Sequence, residues 1–187
     1  LFIPTICNMM RFAVIVACVA VASALKWEDC GSADKAISVS KVEVTPSPVV
    51  IPGNLRLSLE GEIKRQLGDK QLDADLIIRK SLFGIMVDIP CVDGIGSCSY
   101  QDVCSLVNDL VTAEGAECPA EVTQFLGGCS CPFKARQISV PGIDIELPAL
   151  DGILGGLIAG DIEVEARMKE ADGGEVGCLK ASFSIDA

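Results

Sequence analysis

The sequence contains no histidine at any of its 187 positions. That absence removes Ser-His-Asp and Cys-His nucleophile arrangements, His-ligated zinc or iron, and imidazole acid–base chemistry. An enzyme built on this chain would have to work with carboxylates, Ser, Lys, Tyr or Cys. Aromatic residues are scarce, at 4%, and 15 Lys and Arg face 26 Asp and Glu. A basic groove with stacking rings for nucleic acid is excluded on both counts. Neither a Cys-x-x-Cys motif nor an Asn-x-Ser/Thr acceptor occurs. The glycine-rich stretch Gly152–Gly160 lacks the GK[ST] and following helix of a phosphate loop. No cofactor motif, metal-ligand set or catalytic residue is indicated.

What is present is aliphatic: half of the residues are hydrophobic although rings are few. Such a composition predicts an aliphatic interior, or an aliphatic ligand inside it. Arg11 followed by the uncharged run Phe12 to Ala24, ending in Ala22-Ser23-Ala24, reads as a secretory signal with an A-x-A cleavage site. The run is short of the roughly 20 residues that span a bilayer. The expected organisation is a leader plus signal over residues 1–24 and one domain over residues 25–187; Leu1 to Asn8 are assigned no function. Removing Cys7 and Cys18 with the signal leaves eight cysteines, which predict four disulfides in an oxidising compartment.

Period-two alternation dominates the domain. Leu55, Leu57 and Leu59 alternate with Arg56, Ser58 and Glu60; Leu72, Ala74, Leu76 and Ile78 follow; then Phe83, Ile85, Val87 and Ile89. Ile143, Ile145 and Leu147 form another run, as do Ile162, Val164, Ala166 and Met168, and Leu179, Ala181, Phe183 and Ile185. Each predicts a strand with one apolar and one wet face. Ala171-Asp-Gly-Gly174 predicts a hairpin turn, and a phase break among Ile37, Val39, Val42 and Val44 predicts a bulge. Val103, Leu106, Val107, Leu110 and Val111 have helical spacing, with Ser99 and Asp102 as a candidate capping box. The fold class is all-β: an antiparallel sandwich or cup with one short helix and four disulfides.

Spacing limits the disulfides without fixing them. Cys91 and Cys98 can close a small loop, whereas Cys129 and Cys131 are too close to bridge each other without strain. Each of those two is expected to reach Cys104 or Cys118, which leaves Cys30 and Cys178 to each other. The carboxylates fall mostly on outward strand positions, where they read as a solvated face rather than an acid–base pair. Ile153, Leu154, Leu157 and Ile158, in an uncharged stretch between Asp151 and Asp161, are candidates for an apolar lip, as are Phe125 and Leu126. With a sequence pI near 4.4, repulsion from anionic membranes fades as pH falls, so an acidic medium favours docking of such a lip.

Several segments together resemble the ganglioside M2 activator family of secreted lipid-recognition β-domains. They are Trp27-Glu-Asp-Cys30, Val50-Ile-Pro-Gly-Asn54 and Ile89-Pro-Cys-Val-Asp-Gly-Ile-Gly-Ser-Cys98 with Cys104 six on. Cys129-Ser-Cys-Pro-Phe-Lys134, Glu146-Leu-Pro148 and Gly177-Cys-Leu-Lys180 complete the set. The resemblance implies a β-cup around a large apolar cavity for acyl chains. It also implies the pairing Cys30–Cys178, Cys91–Cys98, Cys104–Cys131 and Cys118–Cys129. The chain departs from the family in three places. Asn54-Leu-Arg56 replaces a glycosylation sequon, the family's Trp is replaced at or near Met86, and the Gly152–Gly160 loop is longer and more aliphatic.

The resulting expectation is a non-enzymatic lipid-binding and transfer protein. It would lift a glycosphingolipid, phospholipid or fatty acid from a membrane surface that it touches transiently. Presentation to a β-hexosaminidase-type glycosidase is implied by the resemblance; a general lipid carrier without such a partner is the alternative. The lysosomal lumen and the extracellular space both fit. Leu76, Ile78, Ile85, Val87, Ile143, Ile145, Val164 and Met168 are the expected cavity residues.

Overall fold

A computed structural model of the chain describes residues 25–92, 94–111, 117–118, 120–149 and 158–187. The strands are β1 (Lys26–Asp29), β2 (Ile37–Thr45), β3 (Val49–Val50), β4 (Gly53–Ile63), β5 (Leu72–Leu82), β6 (Ile85–Asp88), β7 (Ser99–Tyr100), β8 (Arg136–Leu147), β9 (Gly160–Glu170) and β10 (Glu175–Asp186). Two helices, α1 (Val103–Val111) and α2 (Ala120–Leu126), lie between β7 and β8.

The strands form two sheets. The larger runs β1-β10-β9-β5-β6, with β3 added to β10 and β7 to β5; the smaller runs β2-β4-β8. Every pairing between named strands is antiparallel except the short one of β3 with β10. Both sheets obey the period of two, so alternate residues share a face. The inner face of the large sheet carries Leu76, Ala166 and Leu179 in one cross-strand row and Ile78, Val164 and Ala181 in the next. Across the gap the small sheet presents Leu57 opposite Ile143 and Leu55 opposite Ile145. The phase break in β2 is a register shift between Val39 and Lys41, as the alternation predicts.

Two corrections concern ends of elements. Asp102, not Ser99, starts α1: its carboxylate accepts the Ser105 backbone N–H at 3.2 Å and the Ser105 hydroxyl at 2.6 Å. Ser99 is drawn away into β7, where its hydroxyl donates to Asp75 at 2.6 Å. Phe83 does not begin a strand but occupies a two-residue turn with Gly84, because Leu82 already pairs with Ile85. α2 is a further seven-residue helix, too short for helical periodicity to mark it.

Burial divides the molecule. A fully buried cluster of Ala36, Ile63, Leu67, Leu72, Ile138, Val140 and Val176 seals one end of the sandwich. Cys104 and Cys131 pack against it. A smaller cluster, Val49, Ile162 and Ile185, lies toward the other end. The structure joins Cys30 to Cys178, Cys91 to Cys98, Cys104 to Cys131 and Cys118 to Cys129, the pairs that the family resemblance implies.

Candidate functional site

Between the two clusters the inner faces stay incompletely buried. Leu76, Ile78, Val164, Leu179, Ala181, Leu57, Ile143 and Ile145 all face inward by register, yet each remains only half-buried. In a close-packed sandwich such residues would be sealed by the opposite sheet. A partly open apolar pocket of about 160 Å³ lies between β2 and the large sheet. Ile37, Val39, Ala74, Ala166, Met168 and Leu179 line it. Its walls offer dispersion contacts and apolar transfer energy but almost no hydrogen bonding, which suits an aliphatic chain.

The edge of the large sheet continues this apolar surface into solvent. Leu82, Phe83, Ile85, Met86 and Val87 are all exposed, Ile85 to 69% and Phe83 to 106%. Phe83 and Gly84 adopt φ of 54° and 82°, so the turn is of the type that needs positive φ at both central positions. Asn, Asp or Gly normally fills the first of these; a bulky aromatic there is strained by about 1 kcal/mol or more. Neither packing nor turn preference explains Phe83.

The Cys91–Cys98 loop follows directly and adds Val92 and Ile95, which are exposed as well. These two exchange backbone hydrogen bonds at 2.8 and 2.9 Å. Ser97 clamps the loop to β5: its hydroxyl accepts the Ile78 N–H at 2.9 Å and donates to the Ile78 carbonyl at 3.1 Å. Gly96 is required, since a Cβ there would sit 2.1 Å from the Pro90 carbonyl oxygen. The exposed apolar residues are therefore held on rigid backbone along one edge.

The opposite, outer face of the same sheet is ionic. Arg79 binds Glu163 at 2.9 Å and Asp88 at 3.0 Å, tying β5 to β9 and β6. Lys180 reaches Glu163 at 3.1 Å from β10, and Lys169 reaches Asp75 at 2.8 Å. The Lys169 ammonium, then the Ser99 hydroxyl, hold the Asp75 carboxyl below its ordinary range. Burial opposes ionisation of Glu163, but hydrogen bonds from Arg79 and Lys180 outweigh it and lower that pKa too. These carboxylates hold strands together, and the ladder leaves the inner face to apolar residues.

The structure distributes the sequence-predicted residues unevenly. Met168 lines the cavity; Leu76, Ile78, Val164, Ile143 and Ile145 stand on the facing inner walls. Ile85 and Val87 face the same way but lie at the exposed edge rather than in depth. Phe125 is not on a lip: it packs against the buried cluster at the sealed end. α2 carries its apolar side toward β8, which turns Phe125 into core. Leu126 is half-buried, and Ile158 packs against the smaller cluster. Ile153, Leu154 and Leu157 lie outside the described residues. Sequence reasoning missed the β5–β6 turn as the exposed apolar tip. Its signal was the uncharged run from Leu82 to Val87 interrupted by Gly84.

Comparison with known proteins places this geometry in context. The model of the ML-domain family matches residues 24–185. Among curated proteins, the ganglioside GM2 activator of Mus musculus is 30% identical over 159 residues, covering 85% of this chain and 80% of that protein. The ganglioside GM2 activator of Macaca fascicularis is 29% identical over the same length, covering 85% and 82%. Among solved structures, a Niemann-Pick type C2 protein from Japanese carpenter ant aligns with a TM-score of 0.46 at 14% identity, over 86% of this chain and 99% of that one. Chicken MD-1 complexed with lipid IVa aligns with a TM-score of 0.42 at 12% identity, over 86% and 88%.

Proposed function

The chain belongs to the ML-domain family, and on that premise we propose that it is a non-enzymatic lipid-binding and transfer protein. One observation carries the reading. Two facing walls of aliphatic side chains are left half-buried, and they run out to an exposed apolar edge headed by Phe83. Such an edge would touch a bilayer, and the walls would take the acyl chains, at about 0.8 kcal/mol per buried CH₂. The bound lipid is a glycosphingolipid, phospholipid or fatty acid, and the membrane is a transient partner. The domain occupies residues 25–187 behind a secretory signal. Four disulfides support the secretory pathway, with the lysosomal lumen or extracellular space as destination.

Identity of about 30% to ganglioside GM2 activators supports a further step, presentation of the lifted glycolipid to a soluble β-hexosaminidase-type glycosidase. A single experiment tests both levels. Donor vesicles carrying a labelled glycolipid are mixed with the protein, with and without acceptor vesicles or the glycosidase. Transfer to acceptors with faster hydrolysis supports the activator. Transfer with unchanged hydrolysis leaves a general carrier. If no lipid leaves the donor vesicles, the lipid-transfer reading fails.

A further inference from the structure

β1 and β6 end the strand order of the large sheet, and β2 and β8 that of the small one. An edge strand offers unpaired backbone N–H and C=O groups to any second strand, and charge or proline normally blunts it. Three of these four follow that rule. β1 carries Lys26 and Glu28, β2 carries Lys41 and Glu43, and β8 carries Pro141, Asp144 and Glu146. β6 departs from it. Its run Ile85-Met86-Val87 is apolar and exposed to 69%, 42% and 44%. Its one charge, Asp88, is drawn back over its own sheet by Arg79 at 3.0 Å.

The backbone of β6 is half used. The two-residue turn makes Leu82 and Ile85 a hydrogen-bonded pair, so the next such pair is Lys80 with Val87. The Ile89 N–H, donating to the Ile78 carbonyl at 2.8 Å, fixes this phase. The N–H and C=O groups of Met86 and Asp88 therefore point away from β5, and among the described residues no strand takes them up. A second copy of the same edge satisfies them all. Laid antiparallel about a two-fold axis at Val87, Met86 of each copy meets Asp88 of the other, and each pair exchanges both of its hydrogen bonds. Val87 then meets Val87 of the second copy in the closer, non-hydrogen-bonded kind of pair. Ile85 and Val87 share the inner face with Ile78, so the apolar wall runs on from one copy into the next. Like charges stay apart. Asp88 lies diagonal to its copy, about 8 Å away, and each keeps its own Arg79. Lys80 and its copy stand three strand spacings apart, about 14 Å, beyond the screening length of about 10 Å at 0.1 M salt.

We propose that β6 is the pairing edge of a homodimer, in which two large sheets join through antiparallel β6 strands across a two-fold axis at Val87. A second copy is the occupant because the edge is complementary to itself in backbone groups, in apolar residues and in the spacing of its charges. The pair covers in water an apolar strand that the fold leaves open. A four-residue edge is a small contact, of the weak and transient class below about 1,200 Å², so the pair forms at high concentration and comes apart on dilution. The proposal does not depend on the lipid-carrier reading. A bilayer and a second copy compete for Ile85 and Val87, so the dimer belongs to the protein free of membranes.

The test follows monomer and dimer by sedimentation velocity without membranes, from about 10 µM to about 1 mM, the range of a weak pair. Backbone amide exchange of the same samples locates the contact. The expected result is a dimer at the upper end, with exchange at Met86 and Asp88 slowing as the dimer fraction rises. Val87→Lys and Val87→Glu each set like charges against one another on the axis, and each leaves the protein monomeric. Mixed one to one, these two variants associate again, because opposite charges now meet. Met86→Pro removes an outward N–H that no bond within the chain uses, a position where an edge strand tolerates proline. It weakens association about tenfold or more, and an unchanged unfolding midpoint reports an intact fold. A wild type that stays monomeric at the highest concentration overturns the proposal and leaves the edge to a bilayer. Association that survives both Val87 variants, or that leaves exchange at Met86 and Asp88 unchanged, overturns it as well, since another surface then pairs. Neither result bears on lipid uptake, which the vesicle assay reads separately.

Discussion

The sealed end and the exposed edge are built from the same kinds of residue and put them to opposite use. At the sealed end Val176 and Leu67 are buried to 0% and 1% exposure, the Cys104–Cys131 disulfide packs against the cluster, and Cys30–Cys178 bridges to β10 two residues beyond Val176. At the edge Ile85, Val92 and Phe83 are more than half exposed on a turn and a disulfide loop. Burial of aliphatic side chains stabilises the first region; exposure of them at the second is a cost that folding alone would not select. Stability therefore resides at one end, which frees the other to be shaped by contact with lipid.

Opening the sealed end gives the largest effect. The Cys30–Cys178 bridge spans a sequence separation of 148, so its removal frees nearly the whole domain in the unfolded state. Replacing both residues with Ser is expected to lower stability by about 5 kcal/mol in the chain-entropy account. The denaturant midpoint of the double variant checks this. A shift of under about 1 kcal/mol would show that the sealed end does not depend on the clasp.

Deleting part of the cluster comes next. Leu67→Ala removes a side chain that is 1% exposed and leaves a cavity beneath β4 and β8. The expected loss is about 3 kcal/mol, with lipid uptake at the edge unchanged in the folded fraction. Thermal unfolding combined with a lipid-uptake assay separates the two. If uptake falls in step with stability, the regions are one unit and the contrast between them fails.

Much of this contrast was written in the sequence, but not all of it. Alternation identified β4, β5, β8, β9 and β10, and Asp172-Gly173 located their last hairpin, because those signals are local. The division into β1-β10-β9-β5-β6 and β2-β4-β8 was not legible, since which strands pair is a long-range choice. Phe83 was read as part of a strand because a two-residue turn lets Phe83, Ile85 and Val87 keep the spacing of a strand. The apolar pattern of Leu76 and Ile78 stops at the charged pair Arg79-Lys80, while the strand runs on to Leu82. Phe125 looked like a lip because Gly127 and Gly128 follow it, yet α2 turns it onto the core.

At the edge itself the two regions respond with opposite signs. Phe83→Asn places a residue that tolerates positive φ at the first turn position, where Phe is strained. Stability is expected to rise by about 1 kcal/mol. Binding to vesicles should weaken about tenfold or more, because the apolar contact of a fully exposed ring is lost. Vesicle co-sedimentation and thermal unfolding of the same variant measure both quantities. A variant that loses stability, or one that binds vesicles as before, would return Phe83 to an ordinary turn residue.

The smallest effect on stability, and the sharpest separation, comes from pH. Asp29 is opposed by burial, but the Val39 N–H at 2.9 Å and the Lys35 ammonium at 3.2 Å prevail and lower its pKa. Asp75, Glu163 and Asp172 are lowered as well, by Lys169, by Arg79 with Lys180, and by Lys70 respectively. A lowered carboxylate adds stability that is fully present above its unfolded pKa, about 4. That contribution disappears only as pH falls through the still lower folded value. Between pH 7 and pH 5 these pairs stay ionised, so the unfolding midpoint should hold nearly level and decline only below about pH 4. Vesicle binding should change over the range where stability does not. The chain carries a formal charge of −11 at pH 7 and approaches neutrality near its sequence pI of 4.4, so repulsion from anionic vesicles weakens on the way down. Binding to anionic vesicles is expected to rise from pH 7 to pH 4.5 while binding to neutral vesicles stays constant. A parallel rise on neutral vesicles would point instead to acid loosening of the sealed end, with apolar surface released from the core rather than presented at the edge.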